Sequence, residues 1–157
     1  MFEIAGLPAH ILLVHGVVVL APLAGLGAIL YAAWARARQY LAWPLGVLSL
    51  GLVPLSLLTA QAGEQLEKIR PASALVHEHA EQGDVLKYVA VIFFLVVAAM
   101  LVITYEPVGR RIRFLGGLRE HRAIHLMVLV AGVVVGLLFL YQSIVTGHSG
   151  AVSVWAR

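Results

Sequence analysis

The 157-residue chain contains no cysteine. Neither a disulfide framework nor a thiolate metal site is therefore open to it. Charge is scarce as well: 12% of residues are Asp, Glu, Lys or Arg, about half the share usual in a soluble domain. Hydrophobic residues make up 61%, and the mean hydropathy is +0.94. One small aqueous core cannot bury that much apolar surface, so the remaining solvent for it is lipid. The formal net charge is +3. The basic residues sit in short loops and not on one continuous face, which excludes a nucleic-acid surface. The chain has no internal repeat, low-complexity tract or domain linker. A cleavable signal peptide is not expected either, because Glu3 stands where a basic n-region belongs and the apolar stretch is too long.

What is present is four long apolar runs. A bilayer core takes roughly 20 apolar residues as a helix. The runs predict spans at about 9–35, 41–62, 85–106 and 123–146, hence an all-α integral membrane four-helix bundle in one domain, 1–157. Pro22, Pro44 and Pro54 fall inside these runs, where neighbouring groups can satisfy the freed carbonyls. Residues 62–87 form the one sizeable polar connection, broken at Pro71, with helices two and three extending beyond the lipid on either side. The first connection carries Arg36 and Arg38, and the third Arg110, Arg111, Arg113, Arg119 and Arg122. The second is mostly acidic, with Glu64, Glu67, Glu78, Glu81 and Asp84 against Lys68, Arg70 and Lys87. Cytoplasmic loops carry the Lys/Arg excess, so both termini and residues 62–87 are expected outside the cytoplasm. Trp34, Tyr40 and Trp43 serve as interfacial anchors, and Gly132 and Gly136 form a small-xxx-small pair suited to close helix contact.

The chain carries seven histidines. This topology sorts them by side. His10 falls in the first turn of helix one, His15 deeper in the same span, and His77 and His79 on the outer extension of helix three. His148 follows Gly147, which reads as the stop of helix four. Five histidines thus collect at the extracytoplasmic end, while His121 and His125 lie among arginines at the other. Imidazole is the commonest neutral metal ligand. With Glu64 and with Glu81, which shares a helix face with His77, the histidines His10, His77, His79 and His148 are the expected ligands of zinc, copper or iron. A haem b would instead use His15 with His148.

The opening Gly6-Leu7-Pro8-Ala9-His10 and Leu13-Val14-His15, then Ala62-Gly63-Glu64, His77-Glu78, and Thr146-Gly147-His148-Ser149-Gly150-Ala151 with Val154-Trp155, resemble the bacterial membrane family known as domain of unknown function 2231. The resemblance spans nearly the whole chain. It implies a bacterial inner-membrane protein of about four spans and no established activity. Some relatives are fused or adjacent to Rieske or cytochrome modules, which implies membrane redox chemistry by association. Here Ile11 and Gly16-Val17 replace the Pro and Phe-Pro that follow the two histidines in many members.

The expected function is metal or haem binding in membrane electron transfer, within the lipid bilayer and alongside a redox complex or a second copy of the chain. The alternative is a structural or accessory subunit with no cofactor. A transporter ranks lower, since no acid or base other than His15 stands inside the membrane, away from the span ends, to mark a path across it. An independent enzyme is not indicated: Ser149 lacks a nucleophile-elbow context, and His77-Glu78-His79 is not the zinc-protease spacing. Because the chain lacks cysteine, single-cysteine labelling tests the orientation directly. Glu81→Cys should react with a membrane-impermeant maleimide on intact cells, and Arg111→Cys only after the membrane is opened. The opposite pattern would invert the topology.

Overall fold

The computed structural model describes residues 3–4, 6–69, 73–112 and 116–156; the expected break at Pro71 and the loop cations Arg70 and Arg113 lie outside them. A two-residue antiparallel pairing of β1 (Glu3–Ile4) with β2 (Leu7–Pro8) turns at Gly6, whose φ of +77° favours glycine. Pro8 then precedes α1 (Ala9–Ala33). A 3-10 turn, Ala35–Ala37, leads to α2 (Arg38–Glu67), which is followed by α3 (Ala74–Thr104). Two short helices, α4 (Glu106–Gly109) and α5 (Gly116–Glu120), precede α6 (Arg122–Trp155). Helix runs unbroken through Pro22, Pro44 and Pro54.

Helices α1, α2, α3 and α6 are each long and apolar enough to cross a membrane. The chain is a multi-pass membrane protein built as a helical bundle, as the hydropathy predicts. Its outer surface has the composition of an interior: Val47, Leu95, Leu126, Met127, Val134 and Ile144 are all exposed on the long helices. Lipid accepts that surface, whereas water would not. The apolar spans occupy only part of the helices. Thirty-one residues of α3 reach about 46 Å at 1.5 Å per residue, against about 30 Å of hydrocarbon, and the excess is long enough to carry the charged stretch from His77 to Asp84 beyond the apolar span.

Going round the bundle, α1 neighbours α2 and α6, and α3 closes the ring between them. Successive long helices are antiparallel: the start of α1 meets the end of α2 at His10 and Thr59, and the start of α3 meets the end of α6 at Gln82 and Gln142. Small residues set the α1–α6 spacing. Ala21, Ala24, Gly25 and Ala28 form the buried stripe of α1, and a Cβ on Gly25 would stand 2.8 Å from the Gly136 carbonyl oxygen. Gly136 meets the Gly25 carbonyl oxygen at 2.9 Å in the same sense, and Gly132 makes room for the Met100 sulfur. The core beyond this contact is Leu52, Phe93, Val97, Met100 and Phe139, with the Phe93 and Phe139 rings 4.6 Å apart.

The arginine-rich end is closed by side chains on free helix carbonyls. Arg38 donates from Nε to the Tyr31 carbonyl and from Nη2 to that of Ala32, at 3.2 and 3.1 Å. Arg119 donates to the Ile103 carbonyl and His125 to that of Arg119. Cations at helix C-termini both fill these acceptors and oppose the dipole. The Tyr31 hydroxyl donates to Thr104 Oγ1 at 2.9 Å, since Thr104 spends its own proton on the Met100 carbonyl. The Gly25–Gly136 contact predicts opposite signs for two glycine substitutions. Gly25→Ala should cost about 1–3 kcal/mol by forcing backbones apart. Gly51→Ala meets nothing within 4 Å and should gain up to about 1 kcal/mol. Reversible unfolding of the detergent-solubilised protein reads both.

Candidate functional site

Of the expected ligands, the structure brings two imidazoles together. His10, in the first turn of α1, and His79, near the start of α3, are both half-buried at the end of the bundle that carries the α2–α3 connection. Their ring centres lie 6.0 Å apart with planes at 73°.

Each ring occupies a slot made by the opposite helix. His10 lies against Gly63 of α2, where a Cβ would come within 3.0 Å of Nδ1. Its Nδ1 is 2.9 Å from the Thr59 carbonyl oxygen. His79 lies against Gly150 of α6, where a Cβ would reach 2.9 Å from Cε1. Its Nδ1 is 3.1 Å from Ser149 Oγ. All four long helices therefore contribute: α1 and α3 give the rings, α2 and α6 give the seats.

The partners fix the tautomers. A carbonyl only accepts, so His10 Nδ1 carries the proton. Ser149 donates its single hydroxyl proton to the Thr146 carbonyl at 3.0 Å, so it accepts from His79 Nδ1. Both rings then present an unprotonated Nε2, and neither Nε2 has a hydrogen-bond partner among the described residues. Burial holds the His79 imidazole below its ordinary pKa, the neighbouring His10 adds to this, and the Thr146 carbonyl opposes it in part. His79 is thus biased toward its neutral form, and each ring offers an Nε2 lone pair without a partner among the described residues.

A polar layer supports the pair from inside the bundle. Gln142 is buried and donates from Nε2 to the Gln82 side-chain oxygen at 2.8 Å; Thr146 Oγ1 donates to the Gln82 carbonyl at 3.2 Å. A buried amide is costly unless satisfied, and here it ties α3 to α6 close to where His79 meets Ser149.

The remaining expected ligands go elsewhere. His77 is exposed, with Nδ1 3.4 Å from a Glu67 carboxylate oxygen and Nε2 3.6 Å from one of Glu81. Glu64 lies 3.9 Å from Lys87 Nζ, which also holds Asp84 at 2.5 Å. His15 is exposed and folds back to within 2.5 Å of the Ile11 carbonyl oxygen. His148 is exposed on α6. The expected helix stop at Gly147 does not occur: α6 continues to Trp155, and Gly6 is the one glycine with positive φ among the described residues. Among those residues no three of His, Asp or Glu converge as a metal site. The six-residue set His10, His77, His79, His148, Glu64 and Glu81 is thus divided, and the His15–His148 pair is not assembled.

Sequence reasoning passed over Thr59, Gly63, Gln82, Gln142, Thr146, Ser149 and Gly150 as parts of a site. The available signal was polarity at the span ends, Gln142 above all, and glycines in the turns that face the histidines. No family model, curated protein or solved structure matches the chain.

The tautomers are directly observable. Long-range proton–nitrogen NMR of the ring nitrogens should find Nδ1 protonated and Nε2 bare in both His10 and His79. In Ser149→Ala the His79 ring should redistribute toward its other tautomer while His10 stays unchanged. An Nε2-protonated His79 in the native protein would contradict the arrangement.

Proposed function

We propose that this chain is a bacterial inner-membrane protein, with both termini outside the cytoplasm, that holds a metal centre at its extracytoplasmic end for membrane electron transfer. The observation that carries this reading is the His10–His79 pair: two rings, each pinned through Nδ1, each with an Nε2 that has no partner among the described residues. Ligating histidines characteristically commit their second nitrogen to a carbonyl or similar acceptor, which fixes the ring and raises its basicity. Thr59 and Ser149 fill that role here. Membership of the family that the motifs resemble belongs to the same proposal. Among the matched residues, His10, Gly63, Ser149 and Gly150 build the two slots, and the redox modules found beside some relatives suggest the chemistry.

His15 and His148 carry less weight as haem ligands, since both stand on the outside of the bundle. The competing reading, an accessory subunit without a cofactor, draws on the ligand count. Two imidazoles fall short of the three or four protein ligands of common zinc centres. Elemental analysis and an absorption spectrum of purified protein separate the two. The metal-centre reading expects about one metal ion per chain, lost in His10→Ala and His79→Ala and retained in His77→Ala and His148→Ala. A Soret band lost with the same two substitutions would identify the centre as haem. Protein that stays colourless and metal-free after exposure to zinc, copper, iron and haem is an accessory subunit.

A further inference from the structure

Resting on that metal-centre reading, we infer that the ion taken by His10 and His79 is monovalent copper, held between the two Nε2 atoms with no third protein ligand. The first argument is ligand count. Among the described residues two imidazoles come together here, and no third His, Asp or Glu joins them. Zinc is almost always four-coordinate in proteins, and iron takes more ligands still. Copper(I), a closed-shell ion, is content with two opposed nitrogens, and imidazole suits copper.

The second argument is charge. Four acidic groups around this end are engaged elsewhere, Glu64 and Asp84 with Lys87 and Glu67 and Glu81 with His77, while Glu78 is exposed and does not join the two rings. An imidazole that binds a metal does so as a neutral ligand, so the bound ion keeps its whole charge in a half-buried place. The cost of burying an ion grows as the square of its charge, so a divalent ion pays about four times the penalty of a monovalent one. Without a carboxylate to offset it, the site selects against zinc(II), iron(II) and copper(II).

The third argument is distance. A metal–nitrogen bond of about 2 Å places each imidazole centre roughly 3.2 Å from the ion. With both Nε2 atoms turned to one ion, ring centres 6.0 Å apart correspond to a bent two-coordinate arrangement with an angle of roughly 140° at the metal. The 73° between planes is no obstacle, because two-coordination sets no preferred angle between the planes of the two rings.

The test is an anaerobic titration of the full-length protein in detergent, using copper(I) delivered from a chromophoric chelator, with zinc as competitor. The expectation is about one copper(I) per chain, kept in the presence of roughly tenfold excess zinc, and two nitrogen neighbours in the copper X-ray absorption spectrum. That spectrum uses native protein and needs no variant. His10→Gln and His79→Gln should each weaken binding on the order of 100-fold, and Ser149→Ala about 10-fold, with His15→Ala unchanged. Circular dichroism and monodispersity confirm that each variant is folded. If zinc displaces copper and depends on the same two histidines, the monovalent assignment fails and the metal-centre reading stands. Copper binding indifferent to both histidines, or three or more neighbours from the protein, also overturns the assignment. Protein that binds no metal ion overturns both.

Discussion

The backbones of α1 and α6 touch at Gly25 and Gly136, where a Cβ on either glycine would stand within 2.9 Å of the other's carbonyl oxygen. In lipid there is little hydrophobic gain from bringing helices together, because acyl chains are as apolar as leucine. Association rests on close packing and on interhelical hydrogen bonds. The alanine and glycine stripe of α1 supplies the first. The Gln82–Gln142–Thr146 cluster supplies the second, tying α6 to α3. With α6 held against both α1 and α3, the first turn of α1 and the start of α3 come to the same end of the bundle. The His10–His79 separation is thus a consequence of how tightly small residues let three helices approach.

The interior changes character along its length. At the α2–α3 end it is polar: His10 and His79, then the Gln82, Gln142 and Thr146 layer. Phe93, Val97, Met100 and Phe139 fill the middle with side chains that are almost wholly buried. Polarity returns at Tyr31 and Thr104 beside Arg38. Buried serines on α2 do not bridge the gap, since Ser49 and Ser56 hydrogen-bond to carbonyls of their own helix. An apolar plug between two polar ends suits a site addressed from one face and gives an ion no wet route through. It therefore weighs against a transport reading on physical grounds.

The four-helix architecture was legible because bilayer thickness imposes one length scale on every span, and apolar runs of that length have few other meanings. Helix ends were less legible. Gly147 looks like a stop by the rules of aqueous helices, yet α6 passes through it to Trp155. Leaving the helix there would strip carbonyls of partners where water is scarce, so the helical bonds are kept. The histidines were legible as a population and not as a site. Five residues at about 100° each set His10 and His15 roughly 140° apart around α1, so both cannot face inward. The same phase argument separates His77 from His79. Depth alone grouped five histidines; phase selects two of them.

What phase could not provide is the seat for each ring. Gly63 and Gly150 are far along the chain from His10 and His79, the rings they seat, and only the folded bundle reveals that each faces an imidazole edge. Their role bears on why these rings are histidine at all. A leucine or phenylalanine would fill a half-buried slot at a helix end without any polar atom to satisfy. An imidazole there commits Nδ1 to a carbonyl or hydroxyl and leaves Nε2 without a partner from the described residues, a choice that brings a desolvation cost with no packing gain. Two such choices, made on different helices and meeting at 6.0 Å, share one physical rationale: a ligand that uses both lone pairs at once. A solvated surface histidine such as His77, whose two nitrogens both face carboxylates, needs no such account. The contrast between the half-buried pair and the exposed His77 is what separates a site from a polar helix end.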